Sequence, residues 1–305
     1  MMNRITLGIG LLSAVMLGCD PTTEITCENG NTYGIEIGMG CNNTPTDPSV
    51  YQVTENQTTR SITFNQIPPH RVLGSVSPSE NTFEVTLTPT EANEVTQVAN
   101  TDYSGTPGNG LGLGYIFGVM DTGVPFDPVA NEPWENPNTG ELNYEWNLEV
   151  LSSNTPLVWD CNNAHDPNRY HYHGSPLDYL STQGEDGSAH SAMLGYAADG
   201  FPIYYKYGYA DPQDPQSAIV ELTSSYQIKT GCRPGDGTSA PDGGYDGTYV
   251  EDYEYSAGLG DLDECNGRWS ITPEYPNGTY VYYITDQFPS IPRCFKGTPS
   301  SDFEL

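Results

Sequence analysis

Only five histidines occur in this sequence of 305 residues, and three of them, His165, His171 and His173, fall within nine residues. If Tyr170 to His173 is extended, successive side chains alternate faces, so His171 and His173 project to one side. Their ring nitrogens can then converge on a single ion. Tyr170 and Tyr172 point to the opposite side, where large aromatic rings can anchor the strand in a core. An H-x-H pair on a strand with a third ligand from elsewhere is how several catalytic zinc sites are built. His165, just across a Pro/Asn turn, is placed to supply that ligand. Imidazole donors suit Zn or Cu. Zinc would activate a bound water for hydrolysis, whereas copper would bring redox chemistry or metal capture.

The remaining histidines, His70 and His190, are candidate additional ligands or proton carriers. Asp160, Asp166 and Asp199 are candidate carboxylates to orient the imidazoles, although Asp199 before Gly200 also reads as a turn residue. The loop from Gly235 to Asp252 carries Asp236, Asp242, Asp246, Glu251 and Asp252 among glycines. Calcium would suit such oxygen-rich backbone, but the spacing departs from the EF-hand and a solvated loop is the plainer reading. Other chemistry is missing. The chain has no G-x-x-x-x-G-K-S/T, no H-E-x-x-H and no G-x-S-x-G, and the Gly105–Gly114 run fits no dinucleotide fingerprint, so no nucleotide cofactor is expected.

The elements that must position these residues read as mostly β. There are 33 Gly and 25 Pro, which leave little room for long helices, and 22 Tyr, which favour strands and ordered loops. Phe83, Val85 and Leu87 alternate with Glu84, Thr86 and Thr88, the pattern of a half-buried strand. Tyr144, Trp146, Leu148 and Val150 alternate in the same way. Gly114–Met120 is continuously apolar and predicts a strand covered on both faces, and Thr279–Thr285 is a further β-rich run. No period repeats. The expectation is a single β-rich domain, sandwich-like or with irregular sheets, with long Gly/Pro-rich loops and few short helices, stapled by disulfides.

Forty Asp and Glu against ten Lys and Arg give a formal charge of −30. Phosphate contacts need cations that this chain lacks, which excludes nucleic acid as a partner. At the N-terminus, Arg4 precedes an apolar run from Ile5 to Leu17 that ends in Gly18-Cys19. This segment resembles the bacterial lipoprotein signal, in which the cysteine is lipidated. Residues 1–18 are then a signal peptide, 19–50 a tether with a small Cys-bounded loop, and 51–305 the folded domain. No later stretch is apolar enough to span a bilayer, so lipid on Cys19 would be the only membrane attachment. Cys27, Cys41, Cys161, Cys232, Cys265 and Cys294 remain, an even number suited to disulfides in an oxidising compartment. Many pairings are open. Proximity favours Cys27–Cys41, with Cys161–Cys232 and Cys265–Cys294 completing the set.

Tyr170-His171-Tyr172-His173 and its surroundings closely resemble the YHYH domain family of exported bacterial proteins. Further motifs agree in order: Ile67-Pro68-Pro69-His70, Asn162-Asn163-Ala164-His165, Gly195 to Tyr204, Leu262 to Arg268, and Pro273 to Tyr280. The resemblance covers residues 60–298 and implies export without naming a reaction. The family often carries His where this chain has Val281, so no ligand is expected there. Two readings follow. One is a lipid-anchored metal-binding protein of the cell envelope, with enzymatic activity left open. The other is a non-catalytic surface module whose Tyr-rich face binds glycan, polymer or protein around structural histidines.

The anchor has a direct check. Cys19→Ser should move the protein from the membrane fraction into soluble or precursor fractions, and undiminished membrane association would contradict lipidation.

Overall fold

A computed structural model describes residues 40–99, 114–130, 132–166 and 169–305. The signal segment, most of the tether, Cys19, Cys27 and nearly all of the Gly105–Gly114 run lie outside the described residues. The fold is mostly β, as expected. Its centre is an eight-stranded mixed sheet, flanked by a three-stranded antiparallel sheet and several two-stranded ribbons.

In the smaller sheet, Tyr51–Glu55, Thr59–Phe64 and Asn81–Thr86 pair in sequence order. Asn56 makes the first turn, its side-chain oxygen accepting from the Thr58 and Thr59 amides at 2.8 and 2.9 Å. One face is apolar: Ile62, Phe64 and Val85 are buried, while Glu84 is exposed. Phe83 lies edge-on to Phe64 at 5.0 Å. The alternation over Phe83–Thr88 is therefore real, with pairing ending at Thr86.

The central sheet runs, edge to edge, through Gly267–Ser270, Thr279–Ile284, Pro202–Tyr205, Met193–Ala197, Gly118–Met120, Pro125–Phe126, His171–Tyr172 and Ala164–His165. Both faces of its middle are covered. Along Thr279–Ile284, Tyr280, Tyr282 and Ile284 belong to the main core, and Val281 and Tyr283 to a second cluster with Tyr204, Leu222 and Leu262. Period-two alternation thus persists inside a run that is apolar throughout. The strand expected over Gly114–Met120 begins only at Gly118. Ahead of it, the Ile116 amide donates to Phe303 O and the Leu305 amide to Gly114 O, so the C-terminal segment takes those main-chain groups. The Tyr144–Val150 pattern is cut short in the same way. Its strand is Leu142–Asn147, and the Asn147 amide turns to the Glu251 carboxylate.

Helix is confined to Leu177–Thr182 and two 3-10 turns among the described residues. None is long and apolar enough to cross a membrane.

The staples bear out Cys265–Cys294 and correct the other two expected pairs, Cys27–Cys41 and Cys161–Cys232. Cys41 bonds Cys161 across 120 residues, and Cys265 bonds Cys294. Cys232 is also disulfide-bonded, but not to Cys161. Proximity in sequence misled because the segment around Cys41 crosses to the histidine hairpin, where Asn43 bridges Val72 and Cys161 begins the turn before Ala164.

Loop-closure entropy orders the two described bonds. Replacing Cys41 and Cys161 by Ala should cost about 5 kcal/mol, and replacing Cys265 and Cys294 about 4. Urea unfolding of the two double variants measures both, and a clear reversal of that order would show that local packing outweighs chain entropy.

Candidate metal centre

Three of the five histidines meet at one edge of the central sheet. Ala164–His165 pairs antiparallel with His171–Tyr172, and the register sets His165 directly opposite His171. Directly opposed residues share a face, with side chains in contact range. His173, two residues further on, returns to that face. His173 Nε2 lies 3.0 Å from His171 Nε2 and 2.9 Å from His165 Nε2. The ligand atoms of all three lie within 4.8 Å of one another, and this group could hold a metal ion. Zn–N bonds of about 2.0–2.1 Å in a tetrahedron separate ligand nitrogens by roughly 3.3 Å, close to the two contacts that His173 makes.

The hairpin is built to hold this face in place. The Asp160 carboxylate accepts from the Asn162 amide at 2.8 Å and from the Tyr170 hydroxyl at 2.6 Å. Asn163 takes a left-handed conformation, φ 52°, that Asn tolerates better than most residues. There its carbonyl accepts from the His173 amide, and its Nδ2 donates to Ser175 O. Gly174 follows where space is tight: an added Cβ would sit 2.5 Å from Leu151 Cδ1, so that side chain would have to shift.

Main-chain carbonyls aim the rings. His171 Nδ1 lies 2.8 Å from Arg169 O, and His165 Nδ1 lies 3.2 Å from Val158 O. A carbonyl only accepts, so each Nδ1 carries the proton and each neutral ring presents an Nε2 lone pair to the centre. His173 Nδ1 is buried without a well-formed hydrogen bond, although the Asp127 main chain favours its protonation. Burial, followed by the charge of its neighbours, depresses all three basicities. His165 and His171 fall to about 4 and His173 lies well below the ordinary range. Near neutral pH the three rings are therefore uncharged and able to ligate.

The other two histidines stand apart from the trio. His70 backs the strand from the opposite face, its Nε2 2.7 Å from the Tyr172 hydroxyl. The rings of Tyr170, Tyr172 and Tyr179 surround it. His190 packs on Tyr204 and Tyr209, and its Nδ1 lies 2.8 Å from Ser191 O. The expected carboxylates also divide. Asp166 acts on His165 by charge. Asp160 shapes the turn without touching an imidazole. Asp199 sits in a turn, where it accepts from the Tyr282 hydroxyl at 2.6 Å and the Gly297 amide.

Calcium finds no nest in the acidic loop. Asp252 is buried against Arg233, its two oxygens at 2.8 and 2.7 Å from the guanidinium, and Asp246 pairs with the same cation. Asp236 caps its own turn by accepting from the Thr238 and Ser239 amides. The charge run is stitched around an arginine.

Sequence reasoning passed over two residues beside the trio. Asp127 is buried and bound to Arg169 at 3.2 Å. Burial raises its carboxyl to about 6, against the lowering effects of Arg169 and His165. Arg169 stood inside the motif block but was given no role. Asp127 had no local signal at all, because it reaches the centre only through the pairing of Phe126 with Tyr172.

The family model described as YHYH protein matches residues 82–297, and the chain belongs to that family. No curated protein and no solved structure matches it.

His70 carries a pH prediction. Burial lowers its pKa from 6.5 to about 4, so the unfolded chain takes up the proton first as pH falls. Its contribution to stability is complete above pH 6.5 and is lost as pH drops through about 4, with an upper bound on the order of 3 kcal/mol. Unfolding free energies at pH 7 and 4.5 should therefore fall less for His70→Gln than for the natural chain. Equal falls would show that His70 is not held neutral by the fold.

Proposed function

We propose that this YHYH-family chain is an exported, lipid-anchored metalloprotein of the cell envelope, in which His165, His171 and His173 hold Zn or Cu. Metal-dependent hydrolysis is the reaction class this reading favours. The observation that carries it is the convergence of three Nε2 atoms, with main-chain carbonyls aiming the rings of His165 and His171. Moving the His173 proton to Nε2 would satisfy one of its two short contacts, but would leave Nδ1 as a buried lone pair against the Asp127 main chain. A cation at the centre satisfies all three nitrogens together. Three protein ligands leave a tetrahedral position open, the arrangement of catalytic rather than structural zinc. Zinc bound in this way supplies a water that ionises near neutral pH. The disulfides fit an oxidising compartment outside the cytoplasm.

A second reading has one observation in its favour. A cavity of about 470 Å³, lined by Tyr226, Tyr253, Phe288, Gln227, Gln287 and Asp286 among others, contains none of the histidines. Aromatic and amide groups together suit a sugar ring, which would make the protein a non-catalytic glycan-binding module.

Elemental analysis of protein from metal-replete growth separates the two. The metal reading expects close to one Zn or Cu per chain, and most of it gone in His171→Ala and His173→Ala with the fold retained. Tyr172→Ala is the control: it empties a core position, should cost about 3–5 kcal/mol, and should affect metal only indirectly. Full metal content in both His variants, or destabilisation equal to that of Tyr172→Ala, would make the motif a packing device.

A further inference from the structure

We propose that Arg169 makes the three-histidine centre selective for a small oxyanion, a carboxylate or phosphate group, held jointly by the metal and the guanidinium. The inference rests on the metal reading above and adds the substrate class.

Access comes first. His171 and His173 are buried, whereas His165 is only half-buried, so the centre opens to solvent on the His165 side. Arg169 stands on the same hairpin with its side chain 33% exposed. Its carbonyl aims His171, and its guanidinium reaches Asp127 by one contact, Nη2 to Oδ2 at 3.2 Å.

The second point is what Arg169 leaves free. A guanidinium has five N–H donors in a planar fork. Among the described residues, Arg169 spends one of them. Four other cations are more fully committed. Arg233 binds both oxygens of Asp252 together with Asp246, and Arg293 binds Glu149 and Pro128 O. Lys206 binds Glu221 and Asp286, and Lys296 lies between Asp263 and Glu264. In a chain with ten Lys and Arg against forty acidic residues, a part-exposed arginine with spare donors beside a metal centre is a costly placement. Long-range repulsion would keep anions away, and Arg169 offsets it locally.

Charge balance supplies the third point. Three neutral imidazoles leave a divalent ion with its full charge, because no carboxylate joins the ligand group. Asp127 is buried and meets the guanidinium through one oxygen, which leaves the other N–H donors of Arg169 for a second anion. An oxyanion fits both needs, one oxygen for the metal and another for the planar fork.

Cobalt(II)-loaded protein gives the test, since its visible spectrum reports what occupies the open position. Inorganic phosphate, acetate and neutral imidazole are titrated into the natural chain, Arg169→Met and Arg169→Lys. Phosphate and acetate should bind the natural chain and weaken by about tenfold or more in Arg169→Met, with a smaller loss in Arg169→Lys. Imidazole affinity should stay within about twofold, which a merely structural role for Arg169 would not preserve. Unchanged anion affinity in cobalt-loaded Arg169→Met overturns the inference and leaves the metal reading standing. Loss of cobalt from both variants overturns it too, by making Arg169 part of the site's construction. A natural chain that takes up no cobalt, zinc or copper sinks the metal reading and this inference together.

Discussion

Three imidazole Nε2 atoms are crowded about one place, with His173 at 3.0 and 2.9 Å from the other two, and the surrounding structure is arranged to hold them there. Main-chain carbonyls stand behind two of the rings, Val158 O for His165 and Arg169 O for His171, and the Asp127 main chain stands behind the third. Antiparallel register puts His165 across from His171, and the strand's period of two returns His173 to the same face. Undoing any of these would relieve the crowding. The Cys41–Cys161 bond, the Asp160 turn and the Asn163 clamp instead keep the hairpin closed. Such an arrangement makes physical sense for a group that could hold a cation through three nitrogens.

The alternate side chains of the motif explain why tyrosine, rather than any apolar residue, separates the histidines. Tyr170 and Tyr172 are fully buried, and each hydroxyl finds a polar partner: Asp160 for the first, His70 and Thr122 for the second. A leucine or phenylalanine could fill the volume but could not be tied at its far end. A ring fixed at both ends holds the backbone between the histidines, and so the angle between their imidazoles. His70 belongs to this backing layer. Its neutral ring sits among three tyrosines, where a charge would be costly.

What could be read from the chain beforehand is what depends on short separations. The side taken by His171 and His173 follows from alternation alone, and the return of His165 to face His171 follows from antiparallel pairing of two nearby segments. The buried Thr279–Ile284 strand and the half-buried Asn81–Thr86 strand were legible for the same reason. Illegible were the relations set by long closures. The Cys41 segment passes over its near neighbourhood to reach residue 161, His70 and His190 pack into aromatic surroundings elsewhere, and the acidic loop folds about Arg233. Charge spacing on a loop does not reveal that the arginine just ahead of it will be buried among its carboxylates.

Asp127 shows how such a hidden relation can still govern the site. It follows Phe126, whose strand runs parallel to His171–Tyr172, and its amide donates to Tyr172 O at 2.9 Å. The backbone of one short strand thus holds the motif from one side while its next side chain grips Arg169. One Asp127 oxygen meets the guanidinium, and the other is buried with no hydrogen bond of normal geometry. Leaving a carboxylate oxygen in that state is expensive in a protein interior. The expense is smaller if a positive centre lies nearby, because an ion held by the adjacent imidazoles would stabilise the carboxylate through the same low dielectric that now penalises it. With such an ion in place, histidines, arginine and aspartate would form one electrostatic unit in which each member's burial is offset by the others and by the cation.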